Sequence, residues 1–335
     1  MHYASFHGNV KLIKLLVKYG ADIKAKNKMG INMLHVAAQG DQAYSLTYFY
    51  KHGVGVNSVD GEGSTPLHWA CFAGSDTASY YLQSWNCRVN ARDAVGNTPL
   101  HLAVRSAAHF PNTRAIKELL IKGASRSMED DFGNTPFDLI EPPQDDDNLD
   151  EELRGLLGKQ AVHVPCCHLR QPMQKVDKNF RTMIFCESML WGSFLAMLVF
   201  VFPYINADGW FPFVLTLFVA SQFFFFLTVV KEPGYMKGKS KVPFLKLVEK
   251  FDPNMLCPAC EVICTADSRH CYICNQCVER FDHHCPWVNN CIGLYNHNYF
   301  YLYIILQAVY LLVTLTMGVC NVTLLMSSFT LERAR

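Results

Sequence analysis

Three stretches of this 335-residue sequence carry almost no charge over the length needed to cross a lipid bilayer. From Met183 to Ile205 the one charged residue is Glu187; from Trp210 to Val230, and again from Tyr299 to Thr330, there is none. A hydrocarbon core of about 30 Å takes roughly 20 helical residues. In that medium each backbone N–H and C=O must find its partner within the segment, so runs of this kind are helices. A soluble core helix of such length would show a polar stripe, and these runs show none. Mean hydropathy is +0.07, and charged residues make up 18% of the chain, below the roughly 25% of ordinary soluble domains. The sequence predicts three membrane-spanning helices. With a net charge of +1, no global field argues for nucleic acid as a partner.

Basic residues set the expected orientation. Lys175, Lys178 and Arg181 precede the first run, and Lys231, Lys237, Lys239, Lys241 and Lys246 follow the second. The short link Asn206-Ala207-Asp208-Gly209 has no Lys or Arg. Cytoplasmic segments carry the excess of positive charge. The regions before the first run and after the second are therefore expected on the cytosolic side, with the link facing the lumen or exterior.

The N-terminal third repeats itself. Thr65-Pro66-Leu67-His68 recurs as Thr98-Pro99-Leu100-His101, Met33-Leu34-His35 aligns the same interval before the first, and Thr135-Pro136-Phe137 follows after a slightly longer one. Each motif runs into small residues and then a helix such as Val10 to Tyr19 or Arg114 to Ile121. A helix pair that cannot bury its own apolar face buries it against its neighbours, which makes a solenoid. The motif histidines are expected to bond locally within each unit. Trp69, next to His68, is read as core filler or as a partner-binding anchor. A Pro- and Asp-rich run from Glu141 to Glu152 ends the array and predicts a hinge that keeps it apart from the membrane chemistry.

Fourteen cysteines need an explanation, and eight fall between Cys257 and Cys291, interleaved with His270, His283 and His284. Cysteines mixed with histidines at such spacing read as metal ligands rather than disulfides. Two tetrahedral zinc sites need eight ligands. Eight cysteines and three histidines can fill both and leave three groups over. A purely structural zinc module is one reading. A free Cys beside a free His and an Asp, which is a nucleophile, a base and an orienting carboxylate, is the other.

These residues carry two resemblances. The regular period with Thr-Pro-Leu-His, about 33 residues long, resembles that of ankyrin repeats, over about residues 1 to 140. Cys-x2-Cys, His-Cys-x2-Cys-x2-Cys and Asp282-His283-His284-Cys285-Pro286-Trp287-Val288-Asn289-Asn290-Cys291-Ile292-Gly293, with Asn296 and Phe300, resemble the cysteine-rich domain of DHHC-type protein S-acyltransferases. Glu232-Pro233-Gly234 is similar to that family's Asp-Pro-Gly motif. The implied fold is dominated by α-helix. An ankyrin solenoid (1–140) and a linker (141–182) lead to two spans (183–230), a small two-zinc cysteine-rich domain (231–298) and a third span (299–330), with no fourth.

By position in the family motif, Cys257, Cys260, His270 and Cys277 would hold one structural Zn2+ and Cys271, Cys274, His284 and Cys291 the other. Cys285 would be the nucleophile, His283 its base and Asp282 the group orienting His283; Cys264 is left without a role. The resemblance further implies acyl-CoA, typically palmitoyl-CoA, as donor. Substrate proteins with accessible cysteines would be recruited by the ankyrin repeats, membrane lipids would be partners, and the setting would be a eukaryotic endomembrane such as Golgi or ER. The aromatic run Phe223 to Phe226 is expected to face lipid or to line the acyl site. An array that begins within a unit and a missing fourth span predict weak transfer. The rival reading is a catalytically impaired, membrane-anchored ankyrin and zinc adaptor.

Overall fold

The computed structural model describes residues 1–110, 112–140, 148–158, 178–204, 210–238 and 240–333. Lys175, Lys239, the Cys166-Cys167 pair, the run 141–147 and the link 206–209 lie outside the described residues.

Residues 2–121 form four helix pairs: α1 (His2–Phe6) with α2 (Val10–Lys18), α3 (Met33–Gln39) with α4 (Ala43–Lys51), α5 (Pro66–Phe72) with α6 (Asp76–Ser84), and α7 (Pro99–Ala107) with α8 (Arg114–Ile121). The first helices stack on one another, as do the later second helices, around a core that includes Leu34, Leu67, Leu100 and Ile116. Thr65 caps α5 and Pro66 opens it, where a missing N–H costs nothing. Between pairs, Asn27, Asp60, Asp93 and Asp130 each accept backbone N–H bonds from residues two and four positions on. That Asx geometry shapes every hairpin tip in the same way. At the fifth unit Thr135-Pro136-Phe137 makes only a turn, held by Thr135 N–H donating to the Asp138 carboxylate at 2.8 Å.

The motif histidines do more than bond locally. The Thr65 N–H donates to His68 Nδ1 at 3.1 Å, and His68 Nε2 meets the Asn97 carbonyl of the next unit at 3.1 Å. His35 reaches Ser64 and His101 reaches Asn134 in the same way. Because Nδ1 accepts, Nε2 holds the proton, so the neutral ring is the structural form. Burial pushes all three imidazoles below their ordinary value. In the unfolded chain they protonate near 6.5, above where they do so when folded. Their contribution is then complete above about pH 6.5 and is lost progressively as pH falls from there through the lower folded-state values. Hydrogen exchange at the amides of α5 and α7, corrected for intrinsic rates, should show protection falling on acidification. Unchanged protection at pH values well below 6.5 would contradict this reading.

Two elements depart from the sequence expectation. Residues assigned to the linker include a helix, α9 (Asn148–Leu157), whose Leu153 and Leu157 join the array core. Leucines at 149, 153, 156 and 157 make one helical face inside an otherwise acidic run. The first span, α10 (Arg181–Phe200), stops short of Ile205 and gives way to a 3-10 turn at Phe202–Tyr204. Pro203 supplies no N–H and disfavours helix at the residue before it.

The second span is α11 (Trp210–Val230). A short helix, α12 (Phe244–Lys250), and six short strands precede the third long helix, α13 (His297–Arg333). With a helical rise of about 1.5 Å per residue, the 20 residues of α10 and 21 of α11 each match a bilayer core, and residues 297–323 of α13 are more than long enough to cross one. Phe194 stacks on Phe218 at 4.3 Å, Phe218 meets Tyr310 at 5.3 Å, and the buried Ser221 hydroxyl donates to Gln307 Oε1 at 3.1 Å. Those contacts join α10, α11 and α13 as a bundle whose outer faces expose Phe185, Leu195, Val219 and Leu312.

Candidate metal centres and active site

Six strands form three antiparallel hairpins: β1 (Leu256–Cys257) with β2 (Val262–Ile263), β3 (Arg269–Cys271) with β4 (Gln276–Val278), and β5 (His283–Cys285) with β6 (Asn290–Ile292). They repeat at a fixed interval, with Cys257, Cys271 and Cys285 opening the successive knuckles. Leu256 pairs with Ile263, His270 with Cys277 and His284 with Cys291; the next rungs are Cys257 with Val262, Cys271 with Gln276 and Cys285 with Asn290. Each turn carries a residue in the left-handed region at the same place, Glu261, Asn275 and Asn289, with φ of 58°, 52° and 50°.

This repeat distributes the ligands. Adjacent strand residues point to opposite faces, so on β3 His270 and Cys271 serve different centres. The knuckle of one hairpin and the central His–Cys rung of the next come together as a set. Cys257, Cys260, His270 and Cys277 offer ligand atoms within 4.8 Å of one another, and Cys271, Cys274, His284 and Cys291 do the same. In the first set His270 Nδ1 lies 3.5, 3.4 and 3.7 Å from the sulfurs of Cys257, Cys260 and Cys277. In the second, His284 Nδ1 lies 3.8, 3.4 and 3.6 Å from those of Cys271, Cys274 and Cys291. A tetrahedron with Zn–S near 2.3 Å and Zn–N near 2.05 Å has S···N edges of about 3.6 Å. Both sets fit Zn2+, and four protein donors close each one. Cys264 packs against the first set without joining its four.

The third hairpin breaks the pattern in one place. Its knuckle reads Cys285-Pro286-Trp287-Val288, with Val288 where the earlier knuckles have their second cysteine. Cys285 therefore stands where Cys257 and Cys271 stand and belongs to neither ligand set. It is 8% exposed and packs with Val288 and Ile292 against Phe225 and Val229 of α11 and Phe300 of α13. His283 and Cys285, two apart on β5, share a face, while His284 between them turns to Cys271, Cys274 and Cys291. His283 Nδ1 lies 3.5 Å from Asp282 Oδ2, and its ring meets Phe300 edge-on at 5.4 Å. Burial lowers the His283 imidazole from its ordinary value, against the raising effect of Asp282. The aromatic run divides: Phe225 lies under Cys285, while Phe223 and Phe226 are more than half exposed on the outer face.

Several positioning residues carry no signal beyond their presence in a motif. Asn290 donates to the carbonyls of Thr228, Val229 and Lys231 at 3.2 to 3.3 Å, closing the C-terminal end of α11. Asn296 accepts from Gly293 N–H at 2.9 Å and donates to the Cys291 carbonyl at 2.8 Å. Gly293 is required by close approach, since a Cβ there would sit 2.5 Å from the Pro233 carbonyl. These contacts tie Glu232-Pro233-Gly234 and α11 to the third hairpin. His297 places Nε2 3.8 Å from the same Asp282 oxygen that faces His283. In the array, Trp69 is half-buried, its indole N–H donating to Asp60 Oδ2 at 2.9 Å.

Residues 250–335 match the family model for DHHC palmitoyltransferase, and residues 1–93 and 34–125 match that for ankyrin repeats. Palmitoyltransferase ZDHHC4 of Bos taurus is 38% identical over 92 residues, 26% of this chain and 27% of that protein. Palmitoyltransferase ZDHHC13 of Homo sapiens is 30% identical over 125 residues, 36% of this chain and 20% of its own length. Palmitoyltransferase Hip14 of Drosophila melanogaster is 33% identical over 76 residues, 21% and 12% of the two chains. The matches thus span less than a third of these relatives. Residues 250–335 are similar to the DHHC palmitoyltransferase family and residues 1–125 to ankyrin repeats, and among the described residues three helices are long and apolar enough to cross a membrane.

Proposed function

We propose that this chain is a protein S-acyltransferase that moves a long-chain acyl group, palmitoyl in particular, from acyl-CoA to cysteines of partner proteins through a thioester on Cys285. The observation that carries this reading is Cys285 itself, a cysteine at a ligand-equivalent position, outside both metal sets, on one strand face with His283 and against apolar side chains of two spans.

The thiolate is the attacking form, and an unperturbed thiol is mostly protonated at neutral pH. With Nδ1 turned to Asp282, His283 takes the Cys285 proton on Nε2, and the carboxylate stabilises the imidazolium. Cys285 sulfur bonds to the thioester carbonyl carbon, and the bond from that carbon to the CoA sulfur breaks. His283 returns the proton to the leaving thiolate. In the second step a substrate cysteine gives its proton to His283 and its sulfur bonds to the thioester carbon, the bond from that carbon to the Cys285 sulfur breaks, and His283 returns the proton to the released Cys285 thiolate. Each buried CH₂ of the acyl chain contributes about 0.8 kcal/mol, and Phe225, Val229 and Phe300 offer the apolar wall beside the sulfur. Zn2+ in the closed four-donor sites supplies rigidity to the hairpins.

The basic residues flanking α10 and α11 support a cytosolic location for the array and the zinc region, and an endomembrane setting is part of the same proposal. The ankyrin repeats are protein-interaction elements, and we assign substrate recruitment to their first-helix and hairpin-tip face, which includes Trp69. The match to the DHHC palmitoyltransferase model and the intact Asp282, His283 and Cys285 support the enzyme over the adaptor. The purified chain, incubated with an alkyne-tagged fatty acyl-CoA, should acquire a label removed by neutral hydroxylamine. A zinc-loaded, folded chain that takes no such label would refute the reading.

A further inference from the structure

The array and the zinc region are not separated. Phe244, Leu247 and Val248 of α12, together with Leu256, belong to the same buried cluster as the array core. The Tyr81 and Phe244 rings pack at 6.2 Å. Around this apolar contact lies a polar ring. Lys14 pairs with Glu249 at 2.8 Å, Lys51 pairs with Glu261, Tyr81 OH donates to the Pro253 carbonyl at 3.2 Å, and Arg114 Nη1 donates to Asn254 Oδ1 at 3.3 Å. Lys122 lies over the Tyr272 ring at 5.2 Å. The array side of this surface comes from α2, α4, α6 and α8, the second helices. Among the described residues, none of these pairings involves a first helix or Trp69. The chain thus grips the loop before Cys257 at Pro253, Asn254 and Leu256, and grips Glu261 just after Cys260.

At the middle of this surface the Tyr80 hydroxyl donates to the sulfur of Cys257 at 3.6 Å. Tyr80 is half-buried in α6, and the Arg114 guanidinium lies 5.9 Å above its ring. A metal-bound thiolate keeps negative charge, and a donor aimed at it forms a charge-assisted bond that a neutral pair does not match. Partners of this kind change metal affinity by about 10- to 100-fold.

We propose that the ankyrin array is an integral part of the first metal centre, with Tyr80 a positioning residue that holds the Cys257 thiolate through its hydroxyl. The array is then a structural support of the zinc region as well as a docking platform. Zinc retention at the first centre depends on an intact array contact, while the second centre has a different neighbour in Tyr235, on the membrane-proximal segment, whose hydroxyl donates to Asn290 Oδ1 at 3.3 Å. This inference rests on the metal-centre geometry and holds whether or not the chain transfers an acyl group.

The test uses the full chain in detergent and reads zinc release to a chromophoric chelator. Tyr80→Phe removes only the hydroxyl and keeps the ring packing. One of the two zinc ions should leave about tenfold faster, and the other at the wild-type rate. Tyr81→Phe, whose hydroxyl serves a carbonyl and not a ligand, should accelerate release far less than Tyr80→Phe. Two independent results would overturn the proposal: both ions leaving Tyr80→Phe at the wild-type rate, or Tyr81→Phe accelerating release as much as Tyr80→Phe. In the cadmium-substituted chain, one of two cadmium resonances should shift in Tyr80→Phe. Two unmoved resonances would overturn the proposal even if release rates were altered by partial unfolding.

Discussion

Cys285→Ser should bind two zinc ions, melt close to the wild-type temperature and form no hydroxylamine-labile acyl-enzyme. The change replaces one sulfur by oxygen at a site outside both ligand sets, so neither metal centre loses a donor. Cys285 is nearly buried against Val288, Ile292 and Phe225, and a hydroxyl of similar size leaves that packing in place. The chemistry is what disappears. A serine hydroxyl is far less acidic than a thiol, and any oxygen ester formed would resist neutral hydroxylamine. Removal of a nucleophile commonly costs the covalent step several orders of magnitude, so the label should fall by at least a hundredfold, roughly to background. His283→Ala should leave the thiol in place but slow labelling, by about 10²–10⁴-fold if it serves as the general base. Equal labelling of Cys285→Ser and the wild-type chain would place the thioester on another cysteine and end the assignment.

Much of this architecture is written locally. The period of the array is an arithmetic fact of Thr65, Thr98 and their neighbours, and the charge-free runs leave a helix little alternative. Cys285, His283 and Asp282 are adjacent in the chain, so their proximity needs no fold to be seen. The regular repeat of the hairpins was equally available, since Cys257, Cys271 and Cys285 fall on it, but it is short, and Val288 and Leu256 interrupt its ligand pattern. What local reading could not supply is contact between distant segments. Phe244 and Leu247 look like any short amphipathic helix until Tyr81 is found opposite them. Tyr80 looks like one aromatic residue among many until its hydroxyl meets Cys257, 177 positions away. The contact with α12 was hidden for the same reason: residues 141–152 have a linker's composition, and nothing in them shows that Phe244, Leu247 and Val248 join the array core. Asn290 was visible in the motif, but its task of closing α11 depends on three carbonyls far earlier in the chain.

Cys291→Ala should bind one zinc ion per chain and lose the Cys285 label as fully as Cys285→Ser does, although the nucleophile is present. Cys291 is fully buried, sits opposite His284 on the central rung of the third hairpin, and lies 3.4 Å from Cys274 Sγ. Without it the second set has three donors and an open position. Structural zinc sites contribute their binding free energy to folding, and the thiolates of Cys271 and Cys274 would be left with their compensating charge weakened or gone. Breaking a buried charge cluster in this way costs about 3–5 kcal/mol. A two-stranded hairpin is at best marginal by itself, so β5–β6 should lose its register once the rung between His284 and Cys291 is empty. The next rung pairs Cys285 with Asn290, and Asn290 is the side chain that holds the end of α11. Loss of register therefore moves the sulfur away from His283 and from Phe225 together. The first centre, gripped by the array through Tyr80 and α12, should keep its ion. Metal analysis by mass spectrometry and in-gel labelling with tagged acyl-CoA decide the matter. Two zinc ions in the variant would break the assignment of Cys291 as a ligand. One zinc ion with undiminished labelling would show that the second centre does not hold the catalytic strand.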